Sequence, residues 1–396
     1  MSIIVRIVKN RFALLLLSTG HGSVDFYLSL LQGLAPMMAL HLDAPLGRMV
    51  ALVGIGQFVT NLVQPLAGLA MGKRNLSWIV WSAAALAVLP AFMGWAPGFR
   101  SLAAVYLLGA VGTGLFHPEG LLAAGDAAGE HAHIGVPLFM AGGFFASAVA
   151  APVGIQWVRH FGFKSMALFA VPGLAVACSL LWIHRKRKRE HPSVVIRPRS
   201  RRVTKFEPGR LSFWPIFAMS ACFNVATGLF FAILASHYEL KFGPGARAWA
   251  GWVILAMGGV ASLASFFWGH VCRRQGYFVA VFFAMLVAAP LFYLLADASS
   301  PQAGFVIAVF LSLIAPGALY PTAVSLSRDS AGLTQSLRAG LMVGGTWGVA
   351  AIVTVVAGVQ LDRGADSANL VAVSAVVCLL AGLIAGGTAL ALRRNG

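Results

Sequence analysis

Twelve apolar stretches, each long enough to cross a bilayer, dominate this sequence and leave few folds open to it. They fall at 11–38, 49–71, 77–97, 101–124, 134–158, 164–184, 211–238, 248–271, 277–296, 302–326, 335–360 and 368–392. About 20 apolar residues in helical conformation span the hydrocarbon core. Lipid offers no partner to an open backbone, so each stretch is expected as a helix. Only 10% of the 396 residues are charged, whereas a soluble domain carries about 25%. The expected class is an all-α polytopic membrane protein with twelve transmembrane helices. Arg6, Lys9 and Arg11 precede LLLL as in a signal peptide, but the apolar run continues to Met38. An uncleaved first helix is therefore expected.

The formal charge of +17 does not point to nucleic acid, because 11 of the 29 Lys and Arg residues lie between Arg185 and Arg210. That stretch has three prolines and no helical apolar stripe. It divides the chain into an N-terminal six-helix bundle (1–184), a basic linker (185–210) and a C-terminal six-helix bundle (211–396). With both termini cytoplasmic, 22 Lys and Arg residues face inward and seven outward, which the positive-inside rule favours. The expected location is a bacterial inner membrane, with the linker on the cytoplasmic side near anionic headgroups.

The two bundles repeat one another. FHPEGLLAAGDAAG (116–129) aligns with LYPTAVSLSRDSAG (319–332) at an offset of 203, matching Pro118 to Pro321, Asp126 to Asp329 and Gly129 to Gly332. Leu138 and Gly142 match Leu341 and Gly345 at the same offset. A duplicated six-helix unit is the build of a secondary transporter.

Ionisable residues inside the spans are the functional candidates, because a charge at the bilayer centre costs about 2.5–3.5 kcal/mol on insertion scales. Asp25 lies mid-span, with His21 one helical turn before it, so the two share a face. His117 and Glu119 lie in the fourth span. Two helical steps of about 100° point them apart, unless Pro118 distorts the helix. Glu119 is expected to titrate, with His117 as its neighbour or as a packing group. The second half has no comparably buried carboxylate. It offers Asn224, Phe230, Tyr320 and Trp347 as a substrate surface, joined from the first half by Tyr27. The polar stripe of Gln57, Asn61 and Gln64 on the second span either lines the same cavity or bonds neighbouring helices together. Cys178, Cys222, Cys272 and Cys378 are scattered in apolar runs and read as packing residues. No metal-type spacing, nucleotide-binding loop or hydrolase elbow occurs, so neither metal nor cofactor is expected and the chain does not read as an enzyme.

HGSVD (His21 to Asp25), LVQPLAG with MGKRNLSW (Leu62 to Trp78), GTGLFHPEG (Gly112 to Gly120) and the pair Gly142–Gly143 resemble the fosmidomycin resistance protein family of the major facilitator superfamily. The resemblance implies that spans 1, 4, 7 and 10 line a cavity. It also implies a monomer, with gating by Gly68, Lys73 and Arg74 and by Arg273 and Arg274 in the second-half counterpart. Two positions depart: Gly72 stands where the superfamily has Asp, and Leu122 where the family tends to have Arg. The function implied is proton-coupled export of a small organic compound or drug by alternating access. The departures keep import or facilitated passage of an organic anion open, and beyond that a non-transporting membrane partner.

Overall fold

In the computed structural model the described residues are 10–71, 78–129, 132–190, 211–328, 330–331, 333 and 335–395. Lys73, Arg74 and most of the basic linker lie outside them. Among the described residues twelve helical spans form, numbered here in chain order. In the first half they are α1 (Arg11–His41), α2 (Leu46–Met71), α3 (Ile79–Leu86 with the 3-10 turns Leu89–Trp95), α4 (Phe99–Ala128), α5 (Ala132–Phe161) and α6 (Ala170–Glu190). The second half has α7 (Phe213–Phe242), α8 (Arg247–Gln275), α9 (Tyr277–Ala296), α10 (Pro301–Ile314 and Pro316–Arg328), α11 (Gln335–Asp362) and α12 (Ser367–Asn395). Among the described residues, eleven helical stretches are long and apolar enough to cross a membrane, and Ile79–Trp95 is a shorter apolar one.

Proline accounts for two interruptions that apolar patterning does not reveal. Pro90 lacks the N–H that would continue α3, and the chain runs on as 3-10 turns from Leu89. Ala315, before Pro316, is extended (φ −59°, ψ 151°) and splits α10, as the steric demand of the proline ring on its predecessor requires. α11 carries a π-helical segment over Leu341–Gly345, a local widening often found beside functional groups. Gly162, Gly243 and Gly276 follow α5, α7 and α8 with φ of 75°, 81° and 86°, a conformation that favours glycine as a helix stop.

The chain separates into two compact units, one of residues 1–31 with 59–199 and the other of 32–58 with 200–396. In the first, Phe116 and Phe139 sit fully buried among small residues such as Ala83, Ala84, Ala87 and Ala124. Glycines let α4 approach its neighbours at backbone distance. A Cβ at Gly112 would lie 2.5 Å from Ala87 N, and one at Gly114 2.7 Å from Thr60 O. Small residues at crossings are what membrane helices need, since dispersion and close contact rather than water exclusion hold them together. In the second unit the N-terminal part of α2 meets α11 in the same way. A Cβ at Gly358 would lie 2.5 Å from Ala51 N, and Gly47 N–H donates to Asp362 Oδ1 at 2.7 Å.

Candidate functional site

Three ionisable groups of the first unit meet at one point. On α1, His21 and Asp25 are one turn apart, and His21 Nε2 lies 3.3 Å from Asp25 Oδ2. From α4, His117 Nε2 lies 3.3 Å from Asp25 Oδ1 and 3.1 Å from His21 Nε2. His117, and not Glu119, is thus the partner of Asp25. Glu119 is half-buried on α4 and outside this cluster. His21 is buried, with Asp25 and His117 each about one-sixth exposed at 17% and 16%.

Backbone carbonyls fix both imidazoles. His21 Nδ1 is 2.7 Å from Phe139 O on α5, and its ring stacks on Phe139 at 4.2 Å between centroids. His117 Nδ1 is 2.7 Å from Thr113 O, one turn back on α4. A carbonyl oxygen only accepts, so each Nδ1 carries a hydrogen and donates it. In neutral rings each Nε2 would then present a lone pair, and the two would face each other at 3.1 Å with a carboxylate alongside. A hydrogen bond between the two Nε2 atoms requires that one imidazole be doubly protonated. An imidazolium beside the Asp25 carboxylate also leaves the cluster neutral, the arrangement that burial at membrane depth favours.

Gly143 of α5 makes the space. A Cβ there would lie 2.5 Å from Asp25 Oδ2 and 2.7 Å from His21 Nε2. Among the described residues, His21, Asp25 and His117 also form a group whose potential ligand atoms all lie within 4.8 Å of one another. Sequence spacing shows no metal-type cluster because the two histidines come from different helices, 96 residues apart in the chain.

The second unit brings Asn224, Tyr320 and Trp347 together, as the sequence suggests, and adds Thr346. Asn224 Nδ2 donates to Thr346 Oγ1 at 2.7 Å. Tyr320 OH donates to Met342 O at 2.6 Å, and Thr346 Oγ1 donates to the same carbonyl. The Tyr320 and Trp347 rings meet edge to face at 6.4 Å. Phe230, expected on the substrate surface, is fully buried and packs against Phe292 with centroids 5.9 Å apart. The cause is its place on the α9 side of α7.

The remaining candidates are dispersed. Tyr27 is buried, and its hydroxyl donates to Phe169 O, tying α1 to the turns before α6. Its ring also borders a cavity of about 630 Å³ with Ser18, Gly22, Phe26 and Gly142. Gln57 is buried in the second unit near Gly228, and Asn61 is half-buried in the first. Arg273 and Arg274 are exposed on the last turn of α8, where cations complement the helix dipole. Gly68 lies within α2.

The offset of 203, visible in the fourth and fifth spans, runs through both centres. It relates His21 to Asn224, Asp25 to Gly228, His117 to Tyr320, Phe139 to Met342 and Gly143 to Thr346. The alignment of the fifth and eleventh spans itself pairs Gly143 with Thr346, a residue that the search for ionisable and aromatic groups passed over.

A family model described as "Major Facilitator Superfamily" matches residues 17–335. No curated protein sequence matches the chain. Among solved structures, a mutant of the peptide transporter POT is 14% identical, with a TM-score of 0.70, covering 100% of this chain and 98% of its own. A POT family transporter in complex with a thioalcohol-conjugated peptide is 14% identical, with a TM-score of 0.73, covering 98% and 99%. At this identity the likeness concerns the fold.

Proposed function

The chain belongs to the major facilitator superfamily, and from that premise we propose that this multi-pass secondary transporter is proton-driven and exports a small organic compound. The proton is held by His21, Asp25 and His117. The observation that carries the reading is the convergence of two imidazole nitrogens and both Asp25 oxygens at 3.1–3.3 Å, with each imidazole's other nitrogen committed to a carbonyl. One shared proton neutralises the cluster, and its departure leaves a net negative charge at membrane depth. Such a difference biases a two-state protein, because a ligand shifts an equilibrium only through unequal affinity for the two states.

Asn224, Thr346, Tyr320 and Trp347 supply a neutral hydrogen-bonding and aromatic surface for the cargo. Export is supported by HGSVD, LVQPLAG and GTGLFHPEG, which resemble the fosmidomycin resistance family. The excess of basic residues on one side supports cytoplasmic termini in a bacterial inner membrane. The repeat supports two six-helix halves, 1–184 and 211–396, about a basic linker. A monomer is the expectation from the family.

The test is a susceptibility panel in an efflux-deficient bacterial host, with fosmidomycin, other phosphonates and lipophilic cations, beside Asp25→Asn and Glu119→Gln at matched expression. Resistance that disappears in Asp25→Asn and persists in Glu119→Gln is the expected result. Resistance unchanged in Asp25→Asn would overturn the proton site. No resistance from well-expressed protein would favour uptake of an organic anion.

A further inference from the structure

The atoms that bracket the proton are also spaced as ligands of a transition-metal ion, and we propose that His21, Asp25 and His117 bind one Zn²⁺ ion, which occupies the coupling site and arrests transport. The proposal rests on reading this triad as the coupling site. Zn²⁺ takes nitrogen and oxygen ligands at about 2.0–2.2 Å in tetrahedral geometry, which sets neighbouring ligand atoms about 3.3–3.4 Å apart. The two Nε2 atoms are 3.1 Å apart, and each lies 3.3 Å from a different oxygen of Asp25, so the carboxylate spans both imidazoles and can offer both oxygens to the ion. With one ligand atom taken from each residue, all three lie within 4.8 Å of one another.

The donor set and its surroundings fit as well. Two imidazoles and one carboxylate suit zinc and its neighbours in the first transition row, whereas Mg²⁺ and Ca²⁺ take all-oxygen sites. Metal-bound histidines hold their second N–H on a carbonyl or carboxylate, which fixes ring and tautomer. Both Nδ1 atoms meet that condition, on Phe139 O and Thr113 O, each at 2.7 Å. Both Nε2 lone pairs are thereby aimed inward. Without a Cβ, Gly143 lets Asp25 Oδ2 and His21 Nε2 pack against its backbone, and Asp25 and His117 keep some exposure through which an ion enters. The second unit has Asn224, Gly228 and Tyr320 at the corresponding positions and presents no such donor set. Binding exchanges the shared proton for the metal: Zn²⁺ enters and one H⁺ leaves.

The experiment uses the full-length protein in lipid nanodiscs and zinc alone as the probe. Equilibrium dialysis measures stoichiometry and affinity, and X-ray absorption at the zinc edge reads the ligands. The expected result is one tightly bound zinc per chain with two imidazoles in its first shell. Changing a group outside the first shell costs about 10–100-fold in affinity, so removing a ligand should cost at least about 100-fold. That loss is expected in His21→Ala, Asp25→Asn and His117→Ala, and not in His160→Ala at the exposed end of α5. Gly143→Ala keeps all three ligands and should also weaken binding by filling the space. Undiminished affinity in the three ligand variants overturns the proposal. So does a first shell with fewer than two imidazoles in the wild-type protein, a result that does not depend on any variant folding. Zinc binding that depends on the triad, with drug resistance indifferent to Asp25→Asn, would leave the metal site standing and overturn proton coupling. Resistance that depends on Asp25 without zinc binding would do the reverse.

Discussion

Two polar centres occupy equivalent places in the repeat, and they differ in kind. In the first unit His21 and His117 flank Asp25, and Phe139 O accepts from His21. In the second unit Asn224 and Tyr320 stand at the histidine positions, Gly228 replaces the carboxylate, and Met342 O accepts from Tyr320. Where the first has Gly143, against which the triad packs too closely for a Cβ, the second has Thr346, which bonds both Asn224 and the Met342 carbonyl. One scaffold thus carries a centre that needs a cation and a centre that satisfies itself. The difference teaches that duplication preserved the helix crossings and the accepting carbonyl while division of labour changed the side chains.

Asp25→Asn should produce the largest effect. The carboxylate that balances an imidazolium is gone, and proton-driven export should fall to background while the protein still inserts and folds. Expression-matched resistance assays check this. Gly143→Ala comes next. Its Cβ would sit 2.5 Å from Asp25 Oδ2, so the triad must open and transport should drop at least about tenfold, the effect of losing about 1.4 kcal/mol in the coupled step.

Gly228 sharpens the contrast from the other side. A Cβ at Gly228 meets only ordinary contacts, 3.4 Å from Ala350 Cβ and 3.5 Å from Trp347 Cζ3. Gly228→Ala should therefore leave transport near normal. Gly228→Asp should destabilise by about 2.5–3.5 kcal/mol, because it buries a carboxylate with no histidine beside it. Thermal unfolding in detergent reads both variants. Equal tolerance of alanine and aspartate would break the comparison.

Smaller effects belong to the second centre. Thr346→Val leaves the Asn224 amide short of its acceptor, and should cost about 1–3 kcal/mol with a rise in KM for the cargo. Tyr320→Phe removes one donor while Met342 O keeps Thr346, and about 0.5–1.5 kcal/mol is the expected loss. Neither should change the dependence of transport on the proton gradient, and a change in that dependence would erase the division between the two centres.

Much of this was legible in the sequence, because membrane depth leaves few options. Apolar runs marked the spans, and the cost of buried charge picked out His21, Asp25, His117 and Glu119, of which the structure brings the first three together. Helix facing was harder to read. Two-residue spacing correctly separated His117 from Glu119 but could not say which one meets Asp25, since that depends on how α4 is rotated against α1. Residue type singled out Glu119 as the titrating group, and the structure places His117 beside Asp25. Phe230 shows the same gap: an aromatic residue on α7 reads alike whether it faces the Tyr320 cluster or Phe292. The break at Ala315 was legible from Pro316, although a continuous apolar run concealed it. Gly143 and Thr346 carry little meaning alone and acquire it from the offset of 203.

The central claim is that the triad holds a proton between its two histidines, and nitrogen-15 NMR of labelled histidines in lipid reads this directly. The account predicts that, at a pH between about 5 and 8 where histidine charge is decided by surroundings, one of His21 and His117 is doubly protonated in the wild-type protein. In Asp25→Asn both should be neutral under the same conditions. Two neutral rings in the wild-type protein throughout that range would contradict the account.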